Sequence, residues 1–123
     1  LRTLLAAGML PVISPISLGY DGVTYNVNAD HAALAIARGL AAKALVLVTN
    51  VAGVLANGRV LDRLSADEAE ALIDNGTIAG GMVPKVRSAL EAVAAGVPEA
   101  RITDVGGFES FVAGMPAGTA IVA

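Results

Sequence analysis

No cysteine and no tryptophan occur in this 123-residue chain, and aromatic residues make up only 3% of it. The missing thiols exclude a disulfide framework and thiolate chemistry. The single histidine, His31, cannot hold zinc alone, and no metal-ligand set is expected. On an apolar helix it reads as a structural residue. Charge is thin as well: eight Lys and Arg against eleven Asp and Glu leave a net −3. The basic residues are scattered, so neither nucleic acid nor an anionic membrane is expected as a partner. There is no signal-peptide pattern, and no apolar run approaches the roughly 18 residues of a membrane span. A cytoplasmic location is the expectation. The signatures G-x-x-x-x-G-K-[ST] and G-x-G-x-x-G are both absent, which removes the Walker and Rossmann readings.

What is present is aliphatic. With 55% hydrophobic content, the core is expected to be Ala, Val, Leu and Ile, within one domain or part of one. Leu1 to Gly8 reads as the last two turns of a helix with Gly8 just past its end, so the chain is expected to begin inside a larger unit. Met9 to Ser14 is a nearly continuous apolar run closed by Pro15, and it predicts a buried strand with Pro11 near its start. Between Ile16–Tyr20 and Val23–Asn26, Asp21-Gly22 predicts a hairpin with a two-residue type I′ turn. Ala29 to about Leu40 predicts a helix buried on most of its circumference. Lys43 to Thr49 predicts a parallel strand covered on both faces, ending in the turn Asn50–Leu55.

Further on, Asn57-Gly58 marks a turn, and Ser65-Ala66-Asp67-Glu68 is a capping box opening a polar, exposed helix that stops near Asn75-Gly76. Pro84 suits the first turn of the next helix, whose apolar stripe is Met82, Val86, Ala89, Leu90 and Val93, with Gly96 closing it. Ala100 to Thr103 predicts a short strand, Phe108 to Val112 a short helix and Gly118 to Ala123 a final strand.

Two places carry chemistry. Asn26-Val27-Asn28-Ala29-Asp30 packs two amides and a carboxylate against a helix start, where backbone N–H groups lack internal acceptors and the macrodipole is positive. Asn28 and Asp30 either cap that helix or hold a ligand there; Asn26 is not needed as a cap. In an extended approach, residues 26 and 28 point to one side. The second place is Lys85, after Gly80-Gly81, at the wrong end of its own helix dipole. It is either a surface lysine or a ligand for phosphate, and an adjacent anion makes its position favourable.

Taken in order, Asn26–Asp30, Asn50-Val51-Ala52-Gly53-Val54-Leu55, Gly80-Gly81-Met82-Val83-Pro84-Lys85-Val86 and Gly114-Met115-Pro116-Ala117-Gly118-Thr119 resemble the carboxyl-terminal half of the acetylglutamate kinases, in the amino acid kinase family. The resemblance runs from Leu1 to Ala123. It implies a three-layer α/β/α sandwich with a mainly parallel sheet and the amino-terminal half missing. Residues 1–123 would be the nucleotide-binding half of the kinase domain. The implied reaction is transfer of the ATP γ-phosphoryl group, with Mg2+, to the side-chain carboxylate of N-acetyl-L-glutamate in arginine biosynthesis. By the same resemblance, Lys85 and Asp30 are catalytic, Lys85 stabilising charge and Asp30 orienting lysines. Asn26 and Asn28 bind substrate. Asn50, Val51, Ala52, Gly53, Val54 and Leu55, with Thr77, Ile78, Ala79 and Met82, lie along the nucleotide. A homodimer is implied for the full-length protein, formed mostly through the other half.

Two departures qualify the resemblance. The family usually has Asp where this chain has Asn50, as do some relatives acting on carrier-bound aminoadipate, so a kinase for that substrate is the sibling alternative. The family's amino-terminal lysine, paired glycines and substrate-binding arginine have no counterpart here. The 123 residues alone are therefore expected to bind nucleotide weakly without turnover, and a non-catalytic nucleotide-binding or interaction module is the alternative of another class.

Overall fold

The computed structural model describes residues 1–122. A short helix, α1 (Arg2–Ala6), is followed by a two-stranded antiparallel ribbon, β1 (Ile16–Leu18) and β2 (Thr24–Asn26). Helix α2 (Ala29–Leu40) then leads into β3 (Leu45–Val48). A small hairpin, β4 (Leu55–Ala56) and β5 (Arg59–Val60), precedes β6 (Arg63–Leu64), and α3 (Ala66–Asp74) and α4 (Met82–Ala94) follow. The chain ends with β7 (Ala100–Thr103), α5 (Val105–Val112) and β8 (Thr119–Ile121).

The main sheet has the order β3-β7-β8-β6. Within it β3 and β7 are parallel, as are β6 and β8, while β7 and β8 are antiparallel. Helices α2 and α4 pack on each other and on β3, α4 also covers β7, and α5 packs against β3 and β7. The result is the expected three-layer α/β/α arrangement on a mainly parallel sheet. Its core is aliphatic, with Val86, Ala89, Ile102 and Ile121 wholly shielded from solvent.

Most local signals work as read. Ser65 and Glu68 form both halves of the capping box, with the Ser65 N–H donating to Glu68 Oε2 at 2.9 Å and the Glu68 N–H donating to Ser65 Oγ at 3.3 Å. Asn57 and Gly58 both take positive φ, as a two-residue hairpin turn between β4 and β5 requires. The last strand is shorter than predicted, and Ala123 lies outside the described residues.

Four expectations are corrected, and one strand is added. Met9 to Ser14 is not a buried strand: it joins no ladder, and Leu10 and Val12 are 88% and 94% exposed. Apolar composition gives a segment the capacity to be buried, but pairing requires a strand alongside it, and the proline at 11 removes a donor. The Asp21-Gly22 turn is not type I′, because only Gly22 has positive φ. Instead Gly19 pairs with Val23 around a three-residue loop, a type I turn followed by glycine, and Asp21 Oδ1 accepts from the Val23 N–H at 3.0 Å. Helix α2 is buried on one face only, at Leu34 and Ala37, since α4 and β3 cover just that side. Helix α5 starts at Val105, three residues before the predicted Phe108, because Asp104 caps it by accepting from the Gly107 N–H at 2.7 Å. Strand β6 was not expected; two residues are too few to show a period.

Candidate functional site

Helix α2 is joined to β3, and α4 to β7, by short connections. A helix that feeds a strand this way runs back along the sheet, so the amino-terminal turns of both helices lie at the carboxyl ends of β3 and β7. Open α/β sheets bind ligands at that edge. The turn 50–55 leaves β3 at the same edge, anchored by the Thr49 N–H donating to the Thr103 carbonyl at 2.8 Å.

The two informative motifs meet here. Lys85 Nζ donates to Asp30 Oδ2 at 3.1 Å and Oδ1 at 3.4 Å, across 55 residues of sequence. Each side chain keeps about a quarter of its surface in solvent, so the pair is reachable by a ligand. The dipoles explain the match. Asp30 sits in the first turn of α2, where negative charge is favoured, and Lys85 follows Pro84 at the start of α4, where positive charge is worth roughly 0.3–1 kcal/mol in the wrong direction. The carboxylate offsets that penalty. The start of α4 has no side-chain cap, so its backbone donors are left to the weak 3.3 Å bonds from the Met82 and Val83 N–H groups.

Asn28 caps α2: its Oδ1 accepts from the Asp30 N–H at 2.9 Å and the His31 N–H at 3.2 Å. This is the structural role weighed for it, and it leaves the amide NH2 as a donor. Asn26 stands exposed at the end of β2, opposite Ile16. Exposed Asn50, Ala52, Leu55, Thr77 and Ala79 and half-buried Val51 and Met82 present surface, whereas Gly53, Val54 and Ile78 are buried beneath them. Val54 and Ile78 belong to the core. The segment before α4 is held by the Thr77 N–H donating to Asn75 Oδ1 at 2.9 Å and the Ile78 N–H donating to the Leu72 carbonyl at 2.8 Å. His31 is exposed rather than packed in the core. Among the described residues, no group of three or more His, Cys, Asp and Glu could hold a metal ion.

Residues 1–104 match the family described as the amino acid kinase family. The chain belongs to the amino acid kinase family. Within it, the chain is 59% identical over 107 residues to the acetylglutamate kinase of Roseiflexus castenholzii (strain DSM 13941 / HLO8), covering 87% of this chain and 41% of that protein. It is 50% identical over 102 residues to the acetylglutamate kinase of Geobacillus stearothermophilus, covering 83% and 40%. Among solved structures, the N-acetylglutamate synthase of Neisseria gonorrhoeae complexed with coenzyme A and N-acetyl-glutamate superposes with a TM-score of 0.88 at 28% identity, covering 99% of this chain and 30% of that one. The chain thus spans about two fifths of the length of these curated kinases. No helix among the described residues is long and apolar enough to cross a membrane.

One supporting residue escaped the sequence reading. Thr119, fully buried at the start of β8, accepts from the Val54 N–H at 2.8 Å and donates to the Leu61 carbonyl at 2.5 Å. Gly118-Thr119 was visible as part of a motif, but a threonine in an apolar strand has no distinguishing period.

Proposed function

We propose that these residues form the nucleotide-binding, carboxyl-terminal part of an acetylglutamate kinase, which transfers the γ-phosphoryl group of ATP to the side-chain carboxylate of N-acetyl-L-glutamate. The observation that carries this reading is the Lys85–Asp30 pair at the carboxyl edge of the sheet. A carboxylate substrate is already ionised near neutral pH, so its oxygen attacks phosphorus with no general base to remove a proton. As that O–P bond forms, the bond between the γ-phosphorus and the β–γ bridging oxygen breaks and ADP leaves. The demand on the protein is positioning and charge neutralisation.

Each residue has a part in that scheme. Lys85 stabilises negative charge on the moving phosphoryl group, and Asp30 holds the lysine chain in place until the nucleotide arrives. Asn26 and Asn28 hold the acylated amino acid through their amides. Asn50, Val51, Ala52, Leu55, Thr77, Ala79 and Met82 line the nucleotide, with Gly53, Val54 and Ile78 supporting them from below. Asp30 is the carboxylate at the site, and no group of three or more His, Cys, Asp and Glu occurs among the described residues, so magnesium would be carried on the ATP phosphates, where it would neutralise their charge. In the intact protein, a cytoplasmic homodimer of arginine biosynthesis, the remaining groups that hold phosphate and substrate come from outside residues 1–123.

The test is an assay of the intact protein with MgATP, N-acetyl-L-glutamate and hydroxylamine, which captures an acyl phosphate as a hydroxamate. The expected result is ATP-dependent hydroxamate with N-acetyl-L-glutamate. Hydroxamate no higher than in the protein-free control would contradict the assignment.

A further inference from the structure

Thr119 and Gly53 are two sides of one contact. A Cβ added to Gly53 would stand 2.7 Å from Thr119 Oγ1, 2.7 Å from Val60 Cγ1 and 3.1 Å from the Thr119 N. The φ of Gly53 is not positive, so space and not backbone conformation is what requires glycine there. The hydroxyl that comes so close is fully used. It accepts from the Val54 N–H, inside the turn that follows β3, and donates to the Leu61 carbonyl beyond β5. The Val54 carbonyl in turn accepts from the Leu61 N–H at 2.9 Å. The 50–55 turn and the end of the β4–β5 hairpin are thereby fastened to β8 through one oxygen, 65 residues away in sequence from the amide it holds.

We infer that Thr119 is a positioning residue for the nucleotide turn, setting how far the turn 50–55 stands from the sheet edge and hence the affinity for the nucleotide. The inference rests on the proposed nucleotide role of that turn. Thr119 is itself shut away from solvent and acts only through Val54 and Gly53. Removing the hydroxyl leaves a buried N–H and a part-buried carbonyl without this partner, which the turn relieves by moving outward to water. The nucleotide contacts of residues 50–52 shift with it, while Asn26, Asn28 and the Asp30–Lys85 pair stand on other elements.

The test uses the intact protein, with ATP as the probe, measuring its dissociation constant and both Michaelis constants. Thr119→Val is expected to weaken ATP binding at least about tenfold, roughly the loss of one buried hydrogen bond. KM for N-acetyl-L-glutamate should stay within about twofold, and Thr119→Ser, which keeps the hydroxyl, should restore ATP affinity. Gly53→Ala pushes on the same contact from the other side, so it should also weaken ATP, and its effect should be less than additive with that of Thr119→Val. Should Thr119→Val fold poorly, Gly53→Ala and Thr119→Ser supply the same contrast. Unchanged ATP affinity in Gly53→Ala and in folded Thr119→Val, or a loss shared equally by both substrates, overturns the positioning role while leaving the kinase reading intact. A wild-type protein that binds no ATP overturns both.

Discussion

Two regions of this chain have similar apolar residues and opposite fates. Before Leu34 no residue is buried, and Leu10, Val12, Leu18 and Tyr20 stand largely in solvent. From β3 onward, Leu47, Val54, Val86, Ile102 and Ile121 are almost wholly shielded. The difference is one of partners. β7 has β3 on one side and β8 on the other with α4 across its face, whereas the ribbon β1–β2 pairs only with itself. An apolar groove of about 350 Å³, lined by Pro11, Ile13, Ala33, Ile36, Leu40 and Leu45, marks where the two regions meet, and none of its lining residues is charged. Burial therefore follows the neighbours an element has more than its own hydrophobicity.

The largest expected effect sharpens this contrast directly. In urea unfolding of the 123-residue chain, Ile102→Ala should cost about 2–5 kcal/mol and Leu10→Ala no more than about 0.5 kcal/mol. Equal losses would erase the distinction. A smaller effect belongs to α3, where Ser65→Ala removes one half of the capping box and should cost about 1 kcal/mol by the same measurement.

The same cap gives a pH signature. Glu68 is held below its ordinary carboxyl pKa of 4.5, first by the Ser65 N–H and then by the Ser65 hydroxyl. A depressed folded pKa means this stabilisation is present above 4.5 and fades as the pH falls through the lower folded value. Glu68→Gln should flatten the acid limb of the stability profile in that window; an unaltered limb would count against the cap. The smallest effect probes the loosest region. The Tyr25 hydroxyl donates to Asp21 Oδ2 at 2.7 Å, which lowers the Asp21 carboxyl and raises the Tyr25 phenol above 10.0. In a Tyr20→Phe background, ultraviolet titration should place Tyr25 above 10.0, and Asp21→Asn should bring it back. A midpoint indifferent to Asp21 would mean the ribbon does not hold this turn in solution.

The sequence spoke most clearly where a signal is local and self-contained. The Ser65–Glu68 capping box, the Asn57-Gly58 turn, the span of α2 and the β7 strand are settled by residues within a few positions of one another. Met9 to Ser14 misled because its pattern states what it could bury without stating what lies beside it, and Asp21-Gly22 because Asp21 uses its carboxylate on Val23 rather than taking positive φ itself. At the site, the motifs around Asp30 and Lys85 were each legible from their residues, but their meeting was implied by the family resemblance alone, since 55 residues separate them and only the packing of α2 on α4 joins them. Thr119 was invisible in its role for the same reason, because its partner amide is 65 residues away.

The most direct test of the proposed phosphoryl-transfer site is kcat for Lys85→Ala in the intact protein, at saturating MgATP and N-acetyl-L-glutamate. Loss of a charge aimed at the transferring group should lower kcat at least about 100-fold. A kcat within about twofold of the wild type would show that the Lys85–Asp30 pair joins two helices and takes no part in the reaction.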